Sequence, residues 1–476
     1  MATQTNPASA SDVEQLDRAD IAHGFSTLHK QATDDMVVIN TANGMRVTDH
    51  RGREFLDAGG GLWCMNVGYG RQAIADVAAA QMVKLPYFHT FGLFSNEPLI
   101  RLADRLLKLA PPGMTRAIFC SSGSEANDTQ IKVVRRYNNL LGRFEKKKII
   151  ARHSSYHGST VAAASLSGLP MMHETFDLPI PGILHTLSTD YRRRPGSIKT
   201  PEQFTQYLVD HLTQLIEAEG PRTIAAFIAE PITGTGGVLV PPPGYFRAVK
   251  RVLDHYDILM IADEVITGFG RTGSWFASPG LDVKPDLISI AKGLTSGYFP
   301  MSGCLLSAKV ADVLYADKSS HAMFAHGFTW SGHPVGAAIA NANLDILERE
   351  DLPGNAARVG AYLMARLCER FEGHPLVGEI RGKGLLVAIE LDADPVARKP
   401  FAQHPKVSSL LSKACFEERL LVRGGHDRTM AALAPPLMAT QADADEIVAR
   451  LGRAIDRVTA EVKAAGLATP RRAGAG

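Results

Sequence analysis

The stretch "DLISIAKGLTSG" (286–297) decides how this chain is read. Leu287, Ile288 and Ile290 make a short apolar run of the kind found in parallel-sheet strands buried on both faces, and Gly293 lets the chain turn away. Lys292 therefore stands at the carboxyl end of a strand. A buried ammonium is costly unless it is paired, deprotonated or chemically consumed. The lysine either reaches solvent along its own stem, as most strand-end lysines do, or it has a chemical role.

Working outward, the same texture repeats from about residue 115 to 310. "RAIFC", "KIIAR", "GILH", "TIAAFIA", "DILMIAD", "DLISIA" and "SGCLLS" alternate with helical patterns, which predicts a largely parallel, doubly wound α/β sheet. Val133, Val134, Tyr137, Leu140 and Leu141 form a helical stripe that Gly142 closes. After about 340 the pattern changes to longer amphipathic helices and a strand pair, "EIRGKGLLVAIEL" (379–391). The last helix carries Ile447, Val448, Leu451, Ile455, Val458 and Val462 in register and starts at a Thr440/Asp443 capping signal. This second region reads as a smaller α+β domain. Both ends, "MATQTNPASAS" and "AGLATPRRAGAG", read as frayed.

Composition narrows the function. With 476 residues, 45% hydrophobic and 21% charged, the chain has ordinary globular values, and its net charge of +2 leaves no nucleic-acid or membrane footprint. "RFEKKKII" and "YRRRPG" read as solvated faces. The five cysteines are far apart without a CxxC, and the 16 histidines lack a ligand pattern, so neither a disulfide framework nor a metal site is expected. No apolar run approaches the roughly 18 residues of a membrane span, and the first residues lack a signal-peptide core; a cytoplasmic location is expected.

Three constellations carry chemistry. "GFGRTG" (268–273) fits G-x-G-x-x-G, with Asp286 further on, but "DEVIT" separates it from its strand and "SWFASPGLDVKPD" follows without a helical period, which argues against a nicotinamide site. Asp263 ends "ILMIAD" one strand before Lys292, so both can face the crevice at the carboxyl edge of the sheet; the alternative is an aspartate capping the next turn. A lysine and a carboxylate on one rigid crevice suit pyridoxal phosphate, which needs a Schiff-base lysine and an acid partner for its ring nitrogen. "IFCSSGSEAND" supplies a phosphate cup, a strand ending at Cys120 and then Ser121, Ser122, Gly123 and Ser124 opening a helix, although the same residues also read as an ordinary Ser-capped helix complemented by Glu125.

"SSGSEAND", "SYHGST", "IAEPITGTGG", "IADEVITGFGRTG", "ISIAKGL" and "HGFTWSGHP", in this order, resemble the class III aminotransferases over roughly residues 30 to 460. Within that family the resemblance is greatest to the ω-aminotransferases of the amine:pyruvate, β-alanine:pyruvate and polyamine:pyruvate types. It implies the fold type I of pyridoxal phosphate transferases: a segment 1–72 packing with the small domain and the active site, a large cofactor-binding domain 73–340 and a small domain 341–476. It also implies Lys292 as Schiff-base lysine, Asp263 as partner of the ring nitrogen, Tyr156 and Val265 on the two ring faces, and Ser122, Gly123 and Ser124 at the phosphate. His157 and Glu230 are further cofactor-site residues by the same resemblance, and Thr329 reaches the phosphate of a neighbouring subunit, so that a homodimer, with a tetramer as the alternative, shares its active sites.

For the substrate, the resemblance implies Trp63 as an aromatic wall and Arg423 as the grip on a carboxylate. Ornithine-type members carry a masking glutamate at the position of Thr235, so threonine there favours pyruvate as acceptor. The expected reaction is a ping-pong transfer from an amine or ω-amino acid to pyruvate or another 2-oxo acid through pyridoxamine phosphate. The alternatives are another class III reaction (diaminopelargonate-type, GABA- or ornithine-type, or an aminomutase), a nicotinamide oxidoreductase resting on "GFGRTG", and a non-catalytic scaffold.

Overall fold

The structure is a computed structural model and describes residues 10–31, 33 and 36–467. Most of both ends expected to fray, 1–9 and 468–476, lies outside the described residues, whereas Ala10 and Ser11 already belong to the helix Ala10–Asp20. Among the described residues no helix is long and apolar enough to cross a membrane.

An antiparallel meander comes first: β1 (Ile39–Asn43), β2 (Arg46–Asp49) and β3 (Glu54–Asp57). The central sheet follows. It is built from β4 (Met114–Cys120), β5 (Lys148–Arg152), β6 (Ile183–Thr186), β7 (Ile224–Ala229), β8 (Leu259–Asp263), β9 (Leu287–Ile290) and β10 (Ser302–Ser307), in the order β4-β10-β9-β8-β7-β5-β6. All neighbours are parallel except β10, which runs antiparallel to both β4 and β9. The seven apolar runs read from the sequence are these seven strands.

The strands are apolar throughout because both faces are covered. Successive side chains point to opposite faces. Ile149, Ile261 and Leu287 join one cluster with Ile131, Val134 and Tyr137 of the helix Gly123–Leu140. Ile150, Met260 and Ile288 join another with Phe204, Leu208 and Leu212 of the helix Pro201–Glu219. A residue of either set facing water would lose roughly 1.5–3 kcal/mol of burial, so the register is fixed from both sides.

The C-terminal sheet contains β11 (Val377–Lys383) and β12 (Leu386–Leu391). The short β13 (Leu420–Leu421) leaves it to pair in parallel with β3, Leu420 opposite Leu56 and Leu421 opposite Asp57. Then β14 (Arg423–Gly424) and β15 (Thr429–Leu433) return to it, in the order β11-β12-β15-β14. The helix Gln441–Ala464 opens on the expected capping box: Thr440 Oγ1 accepts from Asp443 N at 3.2 Å and the Asp443 carboxylate accepts from Thr440 N at 2.8 Å.

A histidine stack stands at the β5–β6 edge. The rings of His153 and His173 lie 5.5 and 5.7 Å from that of His185, whose Nε2 donates to the Ser167 carbonyl at 3.1 Å. Burial pushes His185 down to about 4, and the His153 imidazole adds to the shift. The depressed value means that the neutral ring stabilises the fold above pH 6.5 and that this contribution is lost as the pH falls toward 4. It amounts to about 3 kcal/mol. We expect the urea midpoint to fall between pH 6.5 and 4.5, and to fall less in His185→Gln, which keeps a donor but does not titrate.

Candidate active site

Lys292 opens a single 3₁₀ turn, Lys292–Leu294, directly after β9. Its φ is +40°, in the left-handed region that a side-chain-bearing residue rarely adopts, and such strain persists only where the surroundings hold it. Asn343 Nδ2 donates to the carbonyls of Gly293 and Leu294 at 2.9 and 3.0 Å. A Cβ on Gly293 would lie 2.4 Å from Asn66 Nδ2, so only glycine lets Asn66 close on the turn. Asn66 is fixed in its place by Arg271, whose Nη2 donates to Asn66 Oδ1 at 2.8 Å.

Asp263 ends β8 beside this turn and is buried. Its Oδ2 accepts from His157 Nδ1 at 2.7 Å and from Asn127 Nδ2 at 2.9 Å, and its Oδ1 accepts from Val265 N at 3.1 Å. A carboxylate can only accept, so the His157 proton is assigned to Nδ1, which leaves the buried Nε2 as an unpartnered acceptor. Behind Asp263 a polar chain continues: Ser289 Oγ donates to Asn127 Oδ1 at 2.6 Å, and Gln130 Nε2 donates to Ser289 Oγ at 2.9 Å.

The helix Gly123–Leu140 starts at the rim. Ser122 Oγ caps it by accepting from Glu125 N at 3.2 Å, and Glu125 Oε2 accepts from Ser121 N at 2.7 Å. The ordinary cap read from "IFCSSGSEAND" is present, and it leaves room for an anion beside it. Glu125 serves the cap, while the first-turn N–H groups of Gly123 and Ser124 have no acceptor within the helix and remain available to an anion. A Cβ on Gly123 would meet Val265 Cγ1 at 3.2 Å, which keeps this end of the helix against the rim.

These elements enclose a cavity of about 390 Å³ lined by Lys292, Asp263, Ser122, Gly123, Ser124, Tyr156, His157, Glu230 and Val265. Nine of the twelve sequence-derived site residues thus meet in one place. Glu230 accepts from Tyr156 N at 3.0 Å and from Gly234 N at 2.8 Å, tying the loop after β7 to the loop after β5, and burial pushes its carboxyl up. Burial also pushes the Lys292 ammonium down; the neighbouring Cys64, Asp263 and Glu230 oppose this, and the Arg423 guanidinium adds to it.

The other three residues stand apart from this lining. Arg423 is close enough to depress Lys292, makes no ion pair among the described residues, and is itself pushed down by burial, with Tyr156 opposing. Trp63, only 4% exposed and with φ +61°, sits in an apolar cluster with Ile232, Val238 and Ile266, of which Ile266 lines the cavity. Thr329 is exposed, and its carbonyl accepts from Tyr87 Oη at 2.9 Å.

Asn127, Ser289 and Gln130 escaped the sequence reading, although Asn127 stands in "SSGSEAND" and Ser289 in "ISIAKGL". "GFGRTG" opens no helix: Cβ atoms on Gly270 and Gly273 would stand 2.8 Å from Leu437, in the turn before the last helix, and 2.9 Å from Ala357 of the helix Leu352–Arg370, so these glycines serve close packing there.

The residues present fit pyridoxal phosphate. A lysine of depressed basicity, a buried carboxylate held by three donors and a helix N-terminus open to an anion share one cavity of about 390 Å³. Comparison with known proteins agrees. The description "Aminotransferase class-III" matches residues 28–455. Diaminobutyrate–2-oxoglutarate transaminase of Halomonas elongata is 45% identical over 94% of this chain and 96% of that protein. Gamma aminobutyrate transaminase 3 of Solanum lycopersicum is 42% identical over 94% of this chain and 86% of its own length. Among solved structures, the omega transaminase of Pseudomonas jessenii in complex with PMP superposes with a TM-score of 0.92 at 39% identity, covering 95% of this chain and 99% of that one.

Proposed function

Because this chain belongs to the class III aminotransferases, pyridoxal phosphate enzymes of fold type I, we propose that it moves an amino group from an amine or ω-amino acid to pyruvate by ping-pong exchange. The bound cofactor supplies an electron sink for the carbon that loses its proton. In this reading Lys292 Nζ would tether the cofactor and, once displaced by the donor, would take the proton from the amine-bearing carbon and pass it to the cofactor, the acceptor half-reaction running the same transfer in reverse. Burial favours its neutral form, the form that makes the tether and accepts the proton. Asp263 partners the ring nitrogen, His157 and Asn127 orient Asp263, and Glu230 sets the loop that carries Tyr156. Ser122, Gly123 and Ser124 form the phosphate end, Tyr156 and Val265 the two ring faces, and Trp63 backs the substrate side.

The observation that carries pyruvate as acceptor is Arg423. It lies within electrostatic reach of Lys292 and Tyr156, both in the cavity lining, with no carboxylate paired to it among the described residues, and position 235 holds threonine. A charge-assisted bidentate grip is worth about 1.5–3 kcal/mol. Arg423→Ala is therefore expected to raise the KM for pyruvate roughly tenfold to a hundredfold with a smaller change in kcat, measured with putrescine as donor. The relative from Halomonas elongata supports a second reading, with 2-oxoglutarate as acceptor. Parallel assays with the two acids, comparing kcat/KM, separate the readings.

The proposed setting is a cytoplasmic homodimer. An exposed apolar patch supports it: Phe88 and Phe94 stand 5.2 Å apart on the loop after the helix Gln72–Lys84, Tyr87 of that loop meets the exposed Trp330 ring at 5.4 Å, and Leu93 between them is 103% exposed. A face of this kind marks an interaction site. Thr329 stands on the same face and is proposed to complete the phosphate end of the neighbouring subunit's site. The domain limits 73–340 and 341–476 remain part of this proposal.

A further inference from the structure

Arg428 lies five residues beyond Arg423, at the end of the turn that joins β14 to β15, and is only 1% exposed. Its Nη1 faces Asp190 Oδ2 at 2.9 Å and Glu390 Oε2 at 3.4 Å, and its Nε donates to Asp427 Oδ1 at 3.1 Å. Asp190 comes from the loop after β6, Glu390 from β12 and Asp427 from the turn itself. A second buried arginine extends the cluster: Arg381 Nη1 meets Glu390 Oε2 at 2.6 Å, and its Nε donates to the Gly237 carbonyl at 2.8 Å. Gly237 has φ +130°, and a Cβ there would stand 3.0 Å from the Arg428 guanidinium, so the glycine lets this loop lie flat on it.

The cluster joins two parts of the site. From Tyr156 the connection passes through Glu230 to Gly234, then to Gly237, whose N donates to the Gly234 carbonyl at 2.9 Å. It continues through Arg381, Glu390 and Arg428 into the hairpin, where Arg423 pairs with Ala432. Breaking a buried ion pair leaves an uncompensated charge, so the arrangement has one geometry rather than a continuum. Arg423 itself has no such ion pair among the described residues.

Resting on the reading of Arg423 as the carboxylate grip, we propose that Arg428 is a positioning residue for the acceptor half-reaction: its ion pairs with Asp190 and Glu390 set where the Arg423 hairpin stands relative to the cavity. The grip on a 2-oxo acid then depends on Arg428, whereas a carboxylate-free amine does not use it.

The test compares Arg428→Lys, Asp427→Asn and Arg423→Ala in the holoenzyme with putrescine and pyruvate. Lysine keeps the charge but not the fork that spans three carboxylates. We expect Arg428→Lys to raise the KM for pyruvate about tenfold and leave that for putrescine within about twofold. Asp427→Asn, whose carboxylate is 42% exposed, is expected to shift the pyruvate KM in the same direction by roughly threefold, and it serves where Arg428→Lys does not fold. Equal rises in both KM values, or no change in either variant while Arg423→Ala raises the pyruvate KM, would overturn the positioning role and leave the grip intact. A silent Arg423→Ala would overturn the grip and the positioning role together.

Discussion

Replacing Lys292 with alanine is expected to lower turnover by about four orders of magnitude or more while the fold persists. The proposal gives this amine two duties, tethering the cofactor and moving the proton, and the described cavity offers no second amine: Lys292 is the only lysine in its lining. Stability should change little. The turn is held from outside by Asn343 on the Gly293 and Leu294 carbonyls and by Asn66 against Gly293, and alanine accepts the φ of +40° no worse than lysine does. The check is kcat with any competent donor, alongside the cofactor that co-purifies and the thermal midpoint. Near-normal turnover in a folded variant would remove Lys292 from the chemistry.

Asp263→Asn is the second large effect, expected to lower kcat on the order of 10²- to 10³-fold. The change is isosteric but removes the negative charge proposed to face the ring nitrogen. It also disturbs a carboxylate that already holds three donors, because Oδ1 accepts from Val265 N and Oδ2 from both His157 and Asn127. An amide can supply only one acceptor oxygen, so its NH₂ group must face one of these donors. Weaker cofactor retention should accompany the lost rate, readable as a raised concentration of pyridoxal phosphate needed for half-maximal activity. Unchanged kcat and retention would assign Asp263 to the scaffold.

The sequence was most legible where local pattern and chemistry coincide. Seven apolar runs became seven strands because a sheet covered on both faces leaves no polar position to interrupt them, and Asp263 and Lys292 stood out as charges at the ends of such runs. Asn127, Ser289 and Gln130 did not stand out. A polar residue inside a helix or strand has many ordinary uses, and only the fold shows that these three line up behind one carboxylate. Trp63 was legible as a tryptophan beside the site, but its seat against Ile232 and Ile266 depends on the glycine at 234, where a Cβ would come within 2.8 Å of the ring. The ion cluster of Arg428 was hidden for a related reason: its partners stand at 190 and 390, and sequence distance carries no trace of such a meeting.

The pairing of β13 with β3 has a consequence for biosynthesis. Leu56 and its partner Leu420 lie roughly 360 residues apart, so at 5–20 residues per second a ribosome needs roughly 20 to 70 seconds after making the first to deliver the second. During that interval the outer edge of β3 is an open template, and a polypeptide ending before residue 420 keeps it open permanently. Nascent chains on one messenger share that edge and that delay, which makes translation speed upstream of residue 420 a determinant of how much of the product escapes aggregation.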